Sequence, residues 1–240
     1  MIKSLGEKFP IGPNSPTFII AEVADTHFGD MDVARSLLLE LADAGVDAVK
    51  FQHHIPEQEM LPSVPQSRNM REPLFEFLAK NSLRLDQHRE LATLAQEMNV
   101  RYLCTPFSRQ AASEIEPLVD FFKVGSGEFN DYYLLEHLVS FGKPLILSTG
   151  MATESDVLST INFLQKLGSP PFALLHCVSG YPPRHTELNI GWLPKLKELT
   201  PSRIIGYSSH TQEINTAVAA VALGAKIIEK HGMPENAPAG

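Results

Sequence analysis

The sequence is short of cysteine and of long apolar runs, and each shortage excludes a class of protein. Its two cysteines, Cys104 and Cys177, each lie inside an apolar run. A disulfide framework is therefore excluded, and we expect a reducing, cytoplasmic setting. No apolar run approaches the roughly 18–20 residues that span a membrane, and the first ten residues lack the apolar segment of a signal peptide.

Positive charge is also scarce. The chain has 20 Lys and Arg against 28 Asp and Glu, a formal net charge of −8, and no basic run. We therefore expect neither nucleic acid nor a membrane as a partner. An anionic ligand would need local positive charge to offset this overall field. Because no linker or shift in composition divides the chain, we predict a single domain over residues 1–240.

Short apolar runs alternate with segments of helical periodicity. The predicted strands are Thr17–Ala24, Ala48–Gln52, Tyr102–Pro106, Phe121–Gly125, Pro144–Thr149, Phe172–Val178, Ile204–Ser208 and Lys226–Glu229. The predicted helices are Met31–Ala44, Leu85–Asn99, Arg109–Leu118, Asp131–Phe141, Thr153–Gly168, Leu193–Leu199 and Ile214–Leu223. Eight strands alternating with seven helices predict an α/β protein with a (β/α)₈ TIM barrel. An open doubly wound sheet is the alternative, but no GxGxxG motif follows the first strand.

Two places depart from this regularity. The segment from His53 to Asn81 is far longer than the ~2–6 residues usual between a strand and a helix. We expect it to form a lid with a short helix at Pro73–Lys80. After the eighth strand only Gly232 to Gly240 remain, so we expect the barrel to lack its eighth helix. The apolar surface left exposed would favour a homo-oligomer.

Polar side chains occur at the carboxyl ends of the predicted strands, where TIM barrels place their active sites. Lys50 and Lys123 are costly to bury without an anion, and the serine hydroxyls near them are short donors. Together they favour a phosphate or carboxylate site, although a lysine at a strand end can also reach solvent or act as a Schiff-base nucleophile.

His210 and His231 follow two neighbouring strands, an arrangement that suits a divalent metal with open positions for substrate. The alternative is that both histidines are structural. His176 and Cys177 lie within an apolar strand, and we interpret both as structural.

Several strings stand in a recognisable order between Phe18 and His231. They are FIIAEVADTHFGD, AGVDAVKFQHH, TPFSRQAA, FKVGSGEFND, GKPLILSTGMAT, LLHCVSGYPP, IIGYSSHT and AAVALGAKIIEKH. In combination they resemble the sialic acid synthase (N-acetylneuraminate synthase) family. The resemblance implies a TIM-barrel transferase that condenses phosphoenolpyruvate with an N-acetylated hexosamine, such as N-acetylmannosamine. The products would be phosphate and a nine-carbon 2-keto sugar acid, and the cofactor would be Mn²⁺ or Mg²⁺.

The resemblance also implies roles for individual residues. His210 and His231 would bind the metal, Glu22 and Tyr181 would contact the amino-sugar acceptor, and Glu128 would act as acid or base. Glu22, Glu128 and His231 are thus the candidate catalytic residues. Phosphoenolpyruvate would be bound by Lys50, Gln52, Thr105, Lys123, Ser126, Ser148, Ser179 and Ser208.

The chain departs from the family pattern in places. Ser209 stands where the family often has Asp beside the metal, and Gly232 begins a different continuation after His231. We expect the C-terminal antifreeze-like domain of the family to be absent, with activity impaired as a result. Two alternatives stay open: a non-catalytic or impaired barrel that only binds a ligand or partner, and a different barrel aldolase that uses Lys50 or Lys123 covalently.

Overall fold

The computed structural model describes residue 5 and the ranges 11–12, 14–67, 70–168 and 170–232. The predicted lack of an eighth helix concerns residues 233–240, which lie outside the described residues. The antifreeze-like domain and the single-domain organisation likewise stay predictions.

The predicted alternation of strands and helices is confirmed across the described residues. The strands are β1 Phe18–Glu22, β2 Ala48–His53, β3 Arg101–Pro106, β4 Phe122–Val124, β5 Leu145–Ser148, β6 Phe172–Cys177, β7 Ile204–Ser209 and β8 Ile227–His231. The helices are α1 Met31–Asp43, α2 Pro56–Glu59, α3 Leu74–Asn81, α4 Leu85–Glu97, α5 Arg109–Ile115, α6 Tyr132–Ser140, α7 Glu154–Lys166, α8 Trp192–Leu199 and α9 Asn215–Ala222. Differences from the predicted bounds are a few residues at element ends, where helices and strands fray.

The strands form one sheet of eight in the described chain, in the order β3-β2-β1-β8-β7-β6-β5-β4. The strand pairs β2–β3 and β4–β5 through β7–β8 are parallel. Parallel strands in sequence order with helices between them define the TIM barrel, so the predicted fold class is confirmed. The registers place Gln52 opposite Thr105 and Ser208 opposite Glu229.

The chain divides into two compact units. We call Ala21–Val119 with Gly232–Gly240 the β2–β3 unit, and Met1–Ile20 with Asp120–His231 the β4–β8 unit. In the β2–β3 unit, Phe51 and Leu103 on the strands are fully buried. In the β4–β8 unit, β5 and β6 are almost continuously apolar, as expected for parallel strands covered on both faces. In each unit one strand contains a buried lysine, Lys50 on β2 and Lys123 on β4.

The helices begin where the sequence supplies capping side chains. Asp30 caps α1 and Ser108 caps α5, each accepting from backbone N–H groups of the first turn. Thr153 and Asp156 form a capping box at the start of α7. Each cap fixes the turn by which the chain leaves a strand and enters the next helix.

The long connection between β2 and α4 contains two helices. Helix α3 lies at the predicted position, while the short α2 was not predicted because its four residues are too few for a periodic signal. Helix α9 exposes Val218 and Val221. In the described part of the chain, every helix is too short or too polar to cross a membrane.

Candidate active site

A cluster around Lys50 lies in the β2–β3 unit. The Lys50 Nζ is 2.6 Å from the Glu22 Oε2 and donates to the Thr105 Oγ1 at 3.1 Å. The Gln52 Nε2 donates to the other Glu22 oxygen at 2.8 Å. Lys50 and Gln52 are two residues apart on β2 and so point to the same face of the strand. The cluster therefore holds a buried ammonium in contact with a buried carboxylate.

A second cluster surrounds Lys123 in the β4–β8 unit. The Lys123 Nζ donates to the Ser148 Oγ at 2.8 Å and to the Val124 carbonyl at 3.0 Å. Its distance to the Glu229 Oε1 is longer, 3.6 Å. That carboxylate accepts from the Ser208 Oγ at 3.0 Å. Of these three contacts, the two shortest are made to neutral oxygens.

Three hydroxyls in these clusters accept a hydrogen bond from an N–H donor. Thr105 accepts from Lys50, Ser148 accepts from Lys123, and the Ser126 Oγ accepts from the Gly150 N–H at 3.1 Å. A hydroxyl that accepts still has its own O–H to donate. Each buried lysine is thereby paired with a hydroxyl donor, the combination that binds an anion.

Gly150 leaves a small space beside β5. A Cβ at this position would lie 2.6 Å from the Ser179 Oγ, 2.8 Å from the Ser126 Oγ and 3.1 Å from the Cys177 Sγ. Such distances are too short for real contacts, so glycine is needed here. Burial raises the pKa of the Cys177 thiol, which keeps it neutral and fits its interpretation as a structural residue. The space brings together two of the predicted substrate-binding serines.

Two imidazoles and a phenol ring meet near the ends of β7 and β8. The ring centroids of His210 and His231 are 5.5 Å apart, and Tyr181 stacks on His210 at 4.0 Å. The His210 Nδ1 lies 2.8 Å from the Val178 carbonyl. Because a carbonyl only accepts, Nδ1 must carry the proton, and in the neutral ring Nε2 then has the lone pair. Burial lowers the pKa of His210 to about 4, which keeps this ring neutral.

This arrangement fits a metal held by two imidazoles. Metal ligation requires a neutral ring whose second nitrogen is held by an outer partner, and His210 meets both conditions. Two imidazoles on one ion, with nitrogens about 2.0–2.1 Å from it, have centroids on the order of 5 Å apart. Among the described residues no group of three or more His, Cys, Asp or Glu side chains could hold a metal. A metal here would take its other ligands from water and substrate.

Glu128 and His176 are two further polar residues that the sequence analysis singled out. Glu128 is half-buried in the connection between β4 and α6, and its role as acid or base stays a prediction. His176 is buried and its Nε2 lies 2.8 Å from the Leu188 carbonyl, in keeping with a structural role.

The sequence prediction of the site omitted Glu229 and Gly150. Glu229 could have been found because it lies two residues before His231 on β8 and so points to the same face. Gly150 could have been found as the glycine of the LSTGM motif.

Comparisons with known proteins show the family of the chain. The NeuB family profile matches residues 37–239 of the chain. The chain is 34% identical over 227 residues to N-acetylneuraminate-9-phosphate synthase of Homo sapiens, covering 92% of this chain and 63% of that protein. It is 35% identical over 224 residues to N,N'-diacetyllegionaminic acid synthase of Campylobacter jejuni, covering 90% of this chain and 67% of that protein.

A solved structure is also similar. The N-acetylneuraminic acid (sialic acid) synthetase from Leptospira borgpetersenii, in complex with citrate, superposes with a TM-score of 0.82 at 32% identity. The match covers 91% of this chain and 73% of that one. By comparison, the match with the human relative spans less than two thirds of the length of that protein. On its fold, its motifs and these matches, the chain belongs to the NeuB family of sialic-acid-type synthases.

Proposed function

We propose that the protein condenses phosphoenolpyruvate with an N-acetylated amino sugar to give a nine-carbon 2-keto sugar acid and phosphate. The observation that supports this most is the pairing of each buried lysine with a hydroxyl donor, Lys50 with Thr105 and Lys123 with Ser148. Phosphoenolpyruvate carries two anionic groups, a phosphate and a carboxylate. An ammonium beside a hydroxyl donor is the combination that binds such groups, and here it occurs in a chain whose net charge is −8.

In this proposal the lysines mainly position and neutralise the substrate. Bonds to Ser148 and to the Val124 carbonyl hold the Lys123 ammonium in place before any ligand arrives. A preorganised donor costs little reorganisation during the reaction, which is how electrostatic catalysis gains its effect. Ser126 and Ser179, which face each other across Gly150, would add short donors.

His210 and His231 would hold the divalent metal. When bound, the metal would polarise the sugar aldehyde as a Lewis acid. Mn²⁺ fits better than Mg²⁺, because Mg²⁺ strongly prefers oxygen ligands whereas both side chains here offer nitrogen. Tyr181, stacked on His210 and 67% exposed, would contact the sugar, as would Glu22.

A Schiff-base mechanism fits less well. A lysine must be deprotonated to attack a carbonyl, and Lys50 lies 2.6 Å from the Glu22 carboxylate, which favours the ammonium form. Borohydride reduction in the presence of a keto acid should therefore leave the mass of the protein unchanged.

Two further parts of the proposal concern the setting of the protein. Both cysteines are free thiols buried in the fold, which supports a reducing cytoplasm. The exposed apolar side chains Val218 and Val221 on α9 support association into a homo-oligomer.

The test is phosphate release from phosphoenolpyruvate in the presence of Mn²⁺ and a panel of N-acetylhexosamines. We expect release with one sugar and none without sugar. If no sugar of the panel supports phosphate release, the alternative of a barrel that only binds its ligand is favoured. Equilibrium binding of phosphoenolpyruvate with Mn²⁺ then tests that alternative. If the protein also failed to bind phosphoenolpyruvate, neither lysine pair would have the proposed role.

The metal assignment has its own variant. His210→Ala should abolish both phosphate release and tight Mn²⁺ binding. The binding is measured by the electron paramagnetic resonance signal of free Mn²⁺. His176→Gln is the matched control, because His176 is also a buried histidine bonded to a carbonyl but is not a predicted ligand. Equal Mn²⁺ binding by wild type and His210→Ala would overturn the assignment.

A further inference from the structure

A hydrogen-bond network connects the segment after β2 to the Lys50 cluster. The Glu59 Oε2 lies 2.8 Å from the His54 Nδ1, and the His54 Nε2 lies 3.1 Å from the Gln52 Oε1. The Gln52 Nε2 then donates to Glu22 at 2.8 Å. The side chains of His54 and Glu59 are each only 6% exposed. All of these residues belong to the β2–β3 unit.

The donors and acceptors in this hydrogen-bond network can be counted. The Glu22 carboxylate, in contact with the Lys50 ammonium, only accepts, so the Gln52 amide must turn its NH₂ toward Glu22. Its oxygen then faces the His54 Nε2, which must be an N–H. At the other end Glu59 also accepts, so the His54 Nδ1 must be an N–H as well. A neutral imidazole has one N–H, so the network needs one proton more.

Alternative placements of this proton fit less well. If the amide were reversed, two acceptor oxygens, from Gln52 and Glu22, would face each other at hydrogen-bond distance unless Glu22 lost its charge beside Lys50. If Glu59 carried the proton, its carboxyl would give up charge although its Oε1 also accepts from the Ile55 N–H. A bond from a backbone N–H favours the ionised carboxylate.

We propose that His54 is an imidazolium paired with Glu59, and that its second N–H fixes the orientation of the Gln52 amide and, through it, of Glu22. His54 and Glu59 are then positioning residues for the site. Stacking of the His54 ring on Phe107, with centroids 4.1 Å apart, holds the ring plane. The positioning role rests on the proposed function, whereas the protonation of His54 does not.

The same unit contains a matched histidine–carboxylate pair. The His53 Nε2 lies 2.8 Å from the Glu114 Oε2, and His53 is also buried. Its other ring nitrogen, Nδ1, is buried with no hydrogen-bond partner among the described residues. His53 therefore makes the same kind of pair without a link to Gln52, and Glu114 offers the control substitution.

The test is nuclear magnetic resonance of the full chain labelled with ¹⁵N-histidine, at neutral pH. The His54 signals are identified by their loss in His54→Gln. We expect protons on both His54 ring nitrogens in the wild type, and on one in Glu59→Gln, because the introduced amide can donate to the ring. Glu114→Gln should leave the His54 signals unchanged. A bare ring nitrogen on His54 in the wild type would overturn the proposal.

A kinetic readout tests the positioning role. His54→Phe keeps an aromatic ring on Phe107 but removes the N–H that faces Gln52, and it should raise the KM for phosphoenolpyruvate about tenfold, the size typical of an outer-shell partner. His53→Phe, at the histidine without a link to Gln52, should change it less than about twofold. Equal effects of the two variants would reduce His54 to a structural residue. If the wild type released no phosphate, the proposed function would fail, and the resonance result alone would decide the protonation of His54.

Discussion

The two lysine clusters differ in how the protein compensates a buried positive charge. Lys50 lies 2.6 Å from a carboxylate, whereas Lys123 lies 3.6 Å from one and bonds at shorter range to a hydroxyl and a carbonyl. Lys50 is therefore matched mainly within the protein. Under the proposed function, the carboxylate 3.6 Å from Lys123 would compete less with a bound anion than Glu22 would at Lys50.

The histidines of the two units show a parallel difference. His210 in the β4–β8 unit bonds to a carbonyl through one nitrogen, which makes the other a lone-pair donor. His54 in the β2–β3 unit faces an oxygen acceptor on both sides. Under our proposals, histidine would bind a metal in one unit and carry a second proton in the other, and the oxygen atoms next to each ring would decide which.

The largest expected effect concerns the Lys50 ion pair. Lys50→Met leaves the Glu22 carboxylate buried without its ammonium, and should lower the free energy of unfolding by about 3–5 kcal/mol. Lys123→Met removes bonds to neutral oxygens and a longer contact of 3.6 Å with the Glu229 carboxylate, and should cost less, about 1–3 kcal/mol. Urea unfolding of both variants measures the difference.

The control is the double variant Glu22→Gln with Lys50→Met, which removes both charges and should recover part of the loss. If Lys123→Met proved the more destabilising single variant, the contrast between the clusters would be reversed.

Acid should destabilise the protein, and His27 should contribute more to this effect than His176. Burial lowers the pKa of His27 to about 4. Burial also lowers the pKa of His176, but the hydrogen bond to the Leu188 carbonyl raises it and so offsets part of this effect. A histidine whose folded pKa is below its unfolded pKa of about 6.5 stabilises the fold above pH 6.5, and that stability is lost as pH falls toward the folded value. Between about pH 6.5 and 5, His27 alone should account for about 2 kcal/mol.

Unfolding free energies measured across that range in wild type, His27→Asn and His176→Asn check this expectation. The pH dependence should flatten more in His27→Asn than in His176→Asn. An unchanged slope in His27→Asn would show that this imidazole titrates alike in the folded and unfolded chain.

The smallest expected effect tests the space beside the Lys123 cluster. Gly150→Ala should cost about 1–2 kcal/mol of stability, because the atoms it meets are side-chain oxygens and a sulfur that can move slightly. It should weaken phosphoenolpyruvate binding more clearly, since the methyl group fills the space between Ser126 and Ser179. Calorimetric titration gives the affinity.

Gly127→Ala is the control for this space, because a Cβ there meets no atom within 4 Å and should change stability by less than about 0.5 kcal/mol. Equal affinity in the two alanine variants would mean that the space is not used by the ligand.

The sequence predicts the fold well because the strand and helix periods alternate along the chain, and buried parallel strands read as uninterrupted apolar runs such as FALLHC in β6. It also places His210 and His231 correctly at the ends of β7 and β8, whereas Lys50 and Lys123 lie within β2 and β4. Pairing within the site is harder to predict, since the contact between Lys50 and Glu22 depends on side-chain conformations and on register. The His54–Glu59 pair depends on the four-residue helix α2, which is too short to leave a periodic pattern.

The most direct test of the central claim is the mass of the product formed from phosphoenolpyruvate labelled with three ¹³C atoms. The protein is incubated with this substrate, N-acetylmannosamine or another sugar of the panel, and Mn²⁺. We predict a 2-keto sugar acid that contains all carbons of the sugar together with the three labelled carbons, and none with His210→Ala. Recovery of both substrates unchanged with every sugar, from a folded protein that binds Mn²⁺, would contradict the proposed function.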